Sequence, residues 1–372
     1  MSENNPIPEW LNTLVARNAS DLFLTADFPP ALKLDGKVVP LSETKLTAAE
    51  TQALAKSVMS EKQWSRFAET KEANFAIVRE GIGRFRISVF VQQGNVGVVF
   101  RTINTVIPEL GELNLPPILK DIALMTRGLV LLVGATGSGK STSLAAMMGY
   151  RNQRRAEHIL TVEDPIEFVH HHDQSIMTQR EVGTDTEDWQ TALKNSLRQA
   201  PDVILIGEIR ERSIMEFALS YAETGHLCLS TMHANNADQA LERLLTFFPL
   251  ERREQVLLDL SMNLRAIVSQ RLIPRIDQAG RIPAVEVMLG SPLISDLIQG
   301  NRLDEIKPIM AKSRDLGMQT FDQALFDLYM ADAISAEDAL RNADSFNDLR
   351  LRMKLEGKGS GATPLGPGLG MI

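Results

Sequence analysis

Residues 134–141 read Gly-Ala-Thr-Gly-Ser-Gly-Lys-Ser, a complete G-x-x-x-x-G-K-[ST] pattern, and its chemistry is the binding of a nucleoside triphosphate. Gly134, Gly137 and Gly139 carry no Cβ, so the backbone N–H groups from Gly134 through Ala135, Thr136 and Ser138 can turn inward around phosphate oxygens. Lys140 then reaches the β/γ-phosphates, the Ser141 hydroxyl completes a Mg²⁺ shell, and Thr142 follows in the same cradle. The apolar run Gly128–Val133 predicts a short buried strand leading into the loop. Ser141–Asn152 predicts a helix whose N-terminal dipole adds to the anion site.

Hydrolysis needs a group that orients and deprotonates water beyond the γ-phosphate, and a second anchor for the metal. The strand Val203–Ile206 ends in Gly207-Glu208, in the position of a Walker-B strand. Glycine stands where such strands commonly place an aspartate, so Glu208 is read as the base and the metal partner must come from elsewhere. Glu163-Asp164-Pro165-Ile166-Glu167 supplies candidates: Pro165 should stop the preceding strand abruptly and display Glu163 and Asp164 at its end. His226 and His233 bracket the apolar strand Leu227–Thr231, and as a pair they read as a γ-phosphate sensor. His170-His171-His172 looks like a metal-ligand run, but neighbours on an extended segment point opposite ways, which favours an exposed loop.

These residues need a scaffold. Residues 1–105 read as a small α+β domain, with helices at Glu9–Arg17, Thr47–Met59 and Glu61–Thr70. Its strands fall at Asp21–Thr25, Ala31–Leu34, Lys37–Leu41, Ala73–Arg79, Arg84–Gln92 and Val96–Ile103, and Asp35-Gly36 marks a turn. Alternation sets Arg84, Arg86 and Ser88 on one face, and Phe85, Ile87 and Val89 on the other. Residues 106–117, with Pro108, Pro116 and Pro117, form a linker. From 118 to 290 strand and helix alternate in the manner of a doubly wound α/β core, where ligands bind at the carboxyl ends of strands. Helices are expected there at Glu187–Gln199 and Arg212–Glu223. Residues 291–356 read as a helical appendage, and the Gly/Pro-rich stretch 357–372 as a disordered tail.

Composition narrows the function classes. The 372 residues are 44% hydrophobic and carry a net charge of -8, which offers no general attraction to nucleic acid or anionic lipid. A nucleic-acid translocase would want a basic groove with interleaved aromatics, and only 5% of residues are aromatic. One cysteine, Cys228, cannot build a disulfide framework or a cysteine-based zinc module. The polar start MSENNPIPEW has no apolar signal segment and no stretch approaches 18 consecutive apolar residues, so a cytoplasmic location is expected.

The order of the elements carries more than any one of them. Phosphate loop, Glu-Asp-Pro-Ile-Glu box, Gly-Glu strand and His226…His233 box together resemble the secretion-ATPase superfamily. Within it the chain is most similar to the type IV pilus retraction branch, the PilT/PilU family. Ala19–Leu24, Pro29-Pro30, Gly83–Arg86, Val99–Ile103, Ala222–His226 and Gly317–Ala324 also match family segments. The resemblance implies a PAS-like N-terminal domain, a RecA-like ATPase domain, ATP with Mg²⁺, and a homo-hexamer. It further implies N-domain arginines that contact nucleotide, at positions matching Arg84, Arg86 and Arg101. It places such a motor at the inner-membrane pilus base, against a platform protein. Extension and type II secretion motors, the alternative reading, commonly carry a four-cysteine zinc module, which this chain cannot have. Ser291–Gln299 lacks the Ala-Ile-Arg motif usual in PilT-like motors; with the Gly-rich tail this favours the PilU side, working beside a PilT-like retraction ATPase.

Overall fold

In the computed structural model, which describes residues 5–34, 36–103 and 106–357, the N-terminal alternation becomes a single antiparallel sheet. Its elements are α1 (Ile7–Ala16), β1 (Asp21–Leu24), β2 (Ala31–Leu34), β3 (Lys37–Pro40), α2 (Ala48–Val58), α3 (Glu61–Thr70), β4 (Glu72–Arg79), β5 (Gly83–Gln92) and β6 (Asn95–Ile103). The strand order is β3-β2-β1-β6-β5-β4. Thr47 and Ser60 start α2 and α3 with reciprocal capping boxes, which fixes both helices where the sequence reading placed them. Phe85, Ile87 and Val89 are buried with Leu22, Leu32 and Phe100 in the core of this sheet. The opposite face carries the arginines. Arg86 lies directly across from Arg101, and Arg101 across from Asp21, in one row.

The second sheet has seven strands in the order β13-β12-β7-β11-β10-β8-β9. Its elements run α4 (Ile118–Ala123), β7 (Gly128–Val133), α5 (Lys140–Asn152), β8 (His158–Glu163), β9 (Ile176–Glu181), α6 (Trp189–Ser196), β10 (Val203–Ile206), α7 (Arg212–Glu223), β11 (Leu227–Met232), α8 (Ala237–Thr246), α9 (Leu250–Asn263), β12 (Leu264–Pro274) and β13 (Arg281–Leu289). Strands β12, β7, β11 and β10 are mutually parallel, and β13 returns antiparallel on β12. Every residue of β7, β10 and β11 is buried, as strands covered on both faces require. Cys228 sits within β11, where burial pushes its thiol well above the ordinary range.

The helical appendage follows as α10 (Pro292–Gln299), α11 (Ile306–Lys312), α12 (Phe321–Met330), α13 (Ala336–Arg341) and α14 (Phe346–Glu356). Phe321, Leu325, Ile334 and Leu349 from this region share a core with Ile273 and Ile282 of the β12–β13 pair. The helix expected over Glu187–Gln199 starts later and ends in a 3-10 turn, Leu197–Gln199; another such turn, Leu303–Glu305, leads into α11. Strands β9, β12 and β13 were not anticipated. Asp35 and the tail beyond Gly357 lie outside the described residues.

The chain forms two compact units. One comprises the residues up to Ile107 with Thr161–His172 and Met177–Asn195; the other comprises Pro108–Leu160, Asp173–Ile176 and the residues from Ser196 onward. Two short segments of the region read as ATPase core therefore group with the N-terminal residues.

Candidate active site

The phosphate loop leaves β7 in a conformation that its glycines make possible. Gly134, Gly137 and Gly139 have φ of 153°, 77° and 89°, a region that L side chains rarely adopt. Packing adds a second constraint at Gly134, where a Cβ would lie 2.5 Å from Ser138 Oγ and 2.6 Å from the Gln270 carbonyl. Gly137 meets no such obstacle. Lys140 is buried, and its Nζ donates to the carbonyls of Gly134 at 2.7 Å and Ala135 at 2.9 Å. Burial lowers the Lys140 pKa, and the Glu208 carboxylate opposes that shift. Ser141 is exposed and Thr142 half-buried at the start of α5. Ser138 Oγ is buried with no hydrogen-bond partner among the described residues, in a loop whose ligand would be polar.

Glu208 follows β10 at the same end of the sheet. Its Oε1 lies 3.1 Å from His233 Nε2, and its Oε2 accepts from Arg210 at 2.8 Å. The Thr231 hydroxyl donates to the Gly207 carbonyl at 2.7 Å, tying the ends of β10 and β11 together. His233 thus lies against the candidate base. His226 does not. It precedes β11, and its carbonyl accepts from the N–H of Gly128 at the amino end of β7. A strand of this length separates the two histidines by about 20 Å, so they cannot form one sensor within this unit.

Two cavities open onto the loop. One of about 580 Å³ is lined by Gly134, Ala135, His233, Asn235 and α8 residues including Glu242 and Arg243. The other, about 330 Å³, is lined by residues 134–138 with Gln270, Arg271, Leu272, Arg281 and Asn342. The segment between His233 and α8 forms part of both walls and is pinned by side chains from far along the chain. Arg271 donates to the Asn235 carbonyl at 3.2 Å, Asn236 Nδ2 donates to Asp344 at 3.3 Å, and Glu286 accepts the Ala237 N–H at 2.8 Å. Asp344 also pairs with Arg271 at 2.6 Å and with Lys307, while Arg271 stacks on Phe321 at 3.8 Å.

In the first unit, Glu163 is not displayed as the sequence reading had it. The Thr161 hydroxyl at 2.7 Å and the Gln179 amide at 3.3 Å hold its carboxylate, and burial pushes its pKa up to about 6. Asp164, by contrast, is exposed and lines a cavity of about 420 Å³ with Arg86. Arg84 is committed to Glu181 at 2.6 Å, both largely buried. Arg101 pairs with Asp21 at 2.8 Å yet leaves most of its side chain in solvent. Burial raises the Glu167 pKa, and the nearby charges of Arg86 and Arg101 hold it down. His171 and His172 are exposed on a loop; His170 is half-buried there, its pKa lowered to about 4 by burial. No group of three or more metal-ligating side chains occurs among the described residues. Sequence reasoning missed Arg210, Gln270, Arg271 and Asp344, for no motif marks them; the polar triplet Ser269-Gln270-Arg271 inside an apolar run was the available signal.

Glycine-built loop, buried lysine, and a Glu–His pair across adjacent parallel strands define a P-loop ATPase on a RecA-like sheet. Residues 7–319 match the model of the family described as type II/IV secretion system protein. The chain is 56% identical over 345 residues to "Type IV pilus ATPase PilU" of Pseudomonas aeruginosa, covering 93% of this chain and 90% of the relative. It is 40% identical over 337 residues to the same organism's "Type IV pilus retractation ATPase PilT", covering 91% and 98%. The crystal structure of the pilus retraction motor PilT with bound ADP superposes with a TM-score of 0.87 at 41% identity, covering 93% and 99% of the two chains. The chain belongs to the type II/IV secretion system protein family, and within it to the PilT/PilU ATPases, on the PilU-like side.

Proposed function

We propose that this chain is an ATP-hydrolysing motor of type IV pilus retraction, acting as the PilU-like accessory of a PilT-like ATPase. The observation that carries the reading is the 56% identity to a type IV pilus ATPase across 93% of the chain. The residues then take the following roles. Backbone N–H groups of the 134–139 loop hold the phosphates, and Lys140 supplies the positive charge facing the β/γ pair. Glu208 takes the proton of the attacking water, and His233, within hydrogen-bond reach of Glu208, fixes its orientation and senses the γ-phosphate. Mg²⁺, which neutralises phosphate charge when bound, would be held through the Ser141 hydroxyl. Arg86 and Arg101 share a face with no hydrophobic role and can present guanidinium groups to the transition-state charge, whereas Arg84 positions β9 through Glu181. The working unit is a cytoplasmic homo-hexamer docked on an inner-membrane platform protein. No helix among the described residues is long and apolar enough to cross a membrane, which leaves docking to such a partner.

Phosphate release and nucleotide binding test the enzyme. Lys140→Ala should abolish turnover and weaken ATP binding, and Glu208→Gln should bind ATP without hydrolysing it. Near wild-type turnover in Glu208→Gln would remove that residue from the role of base. Labelled pili test the motor: with the PilT-like partner deleted, retraction under load should be weak. Robust retraction without it would make this chain a self-sufficient PilT-like motor.

A further inference from the structure

The register of β12 on β7 puts Ser269 beside Val133, so the next residue, Gln270, stands beside the start of the phosphate loop. Alternation along β12 sends Ser269 and Arg271 toward Glu286 and Asp344, and Gln270 to the other face, under α5. There Gln270 is 4% exposed, and its Oε1 accepts the hydroxyl of Ser143, in the first turn of α5, at 2.7 Å. With the carbonyl end engaged, the amide NH₂ end turns to the loop. A Cβ built on Gly139 would lie 2.7 Å from Gln270 Nε2, so the amide rests against the Gly139 backbone. Gln270 lines the 330 Å³ cavity together with residues 134–138, and Nε2 has no hydrogen-bond partner among the described residues. The Gln270 side chain borders that cavity, so a ligand oxygen seated there can supply the acceptor for Nε2.

We infer that Gln270 is a nucleotide-contacting residue whose side-chain amide donates to a phosphate oxygen held by the 134–139 loop, with Ser143 fixing which end of the amide faces the ligand. The inference rests on the reading of this site as an ATP site. It adds to the loop's backbone donors one side-chain donor from a strand about 130 residues later, outside any phosphate-loop pattern. A donor to a charged acceptor contributes on the order of tenfold or more in affinity.

Calorimetric titration with ADP and Mg²⁺, paired with steady-state ATP turnover on the full chain, tests it. Gln270→Glu keeps an acceptor for Ser143 but replaces the donor with a negative charge. It should raise the ADP Kd and the ATP KM by about tenfold or more. Gln270→Leu should raise both, whereas Ser143→Ala, which removes only the brace, should stay within about twofold. Should Gln270→Leu fail to fold, Gln270→Glu carries the test. An ADP Kd within twofold of wild type in Gln270→Glu would overturn the assignment. So would a Ser143→Ala loss equal to that of Gln270→Leu, which would make Gln270 a brace only. A wild-type chain that neither binds ADP nor hydrolyses ATP would sink the underlying ATPase reading instead.

Discussion

Two loops at the carboxyl ends of neighbouring strands are built on opposite principles. The loop after β7, residues 134–139, gets its shape from its own backbone: three glycines at positive φ let consecutive N–H groups face one point. The segment after β11, from His233 to Ala237, has no glycine, and beyond its local bonds to Gln239 at the start of α8 it is shaped from outside. Arg271, Asp344 and Glu286 hold three successive residues of it from β12, the α13–α14 junction and β13. The first site is written locally and the second is assembled by tertiary partners. A local pattern survives in any fold that provides a strand and a helix, while an assembled one answers to changes far along the chain. That difference makes the His233 segment the place where the C-terminal helices can influence hydrolysis.

The sharpest break comes inside the local loop. Gly134→Ala combines an unfavourable φ with contacts of 2.5 and 2.6 Å, and should displace the cradle enough to cut ATP turnover at least about 100-fold. Turnover within a few-fold of wild type would mean that the loop is less rigid than its packing requires. The assembled segment should yield more gradually. Asp344→Ala leaves Arg271 and Lys307 without their buried carboxylate, costing about 3 kcal/mol of stability. It should also lower kcat about tenfold by freeing the His233 segment. Chemical denaturation and steady-state kinetics separate the two effects, and a stability loss with unchanged kcat would uncouple the appendage from the site.

A milder test uses pH. Burial pushes Glu286 up to about 7 against an ordinary value near 4.5, so the folded chain holds this proton more tightly than the unfolded chain. The associated stability is fully present below about 4.5 and is lost as pH rises through about 7, amounting to about 3 kcal/mol across that interval. Glu286→Gln keeps an acceptor for the Ala237 N–H and carries no charge. It should therefore melt above wild type at pH 8 and close to it at pH 4. Equal melting temperatures at pH 8 would show that Glu286 does not titrate in this window. The smallest effect belongs to His226→Ala, expected to leave turnover within about twofold, since that residue lies at the far end of β11. A large loss would mean that His226 acts on a site outside its own unit.

Strand β5 was legible because it alternates over a half-buried sheet, and helices α2 and α3 because Thr47 and Ser60 announce them. Of the candidate site, Lys140, Glu208 and His233 were legible as motif residues next to apolar strands. Strand β12 was not, because Ser269, Gln270 and Arg271 interrupt its apolar run, and each has a partner that only the folded chain brings near. The histidine pair misled for a geometric reason: proximity along a strand places residues at opposite edges of a sheet. Glu163 misled because proline ends a strand without deciding which way the last side chain turns. Thr161 and Gln179 decide that.

The sealed position of Cys228 has a practical consequence. It is the only cysteine in the chain, lies fully buried in β11, and its thiol resists ionisation. Thiol-directed dyes and spin labels should therefore pass over the native protein without removing any residue. Cysteines introduced at Val78 and Leu250, exposed to 63% and 71%, would be the sole reactive sites, one on each unit. A molecule labelled at either position could report, during turnover, on the surroundings of that unit as nucleotide is consumed.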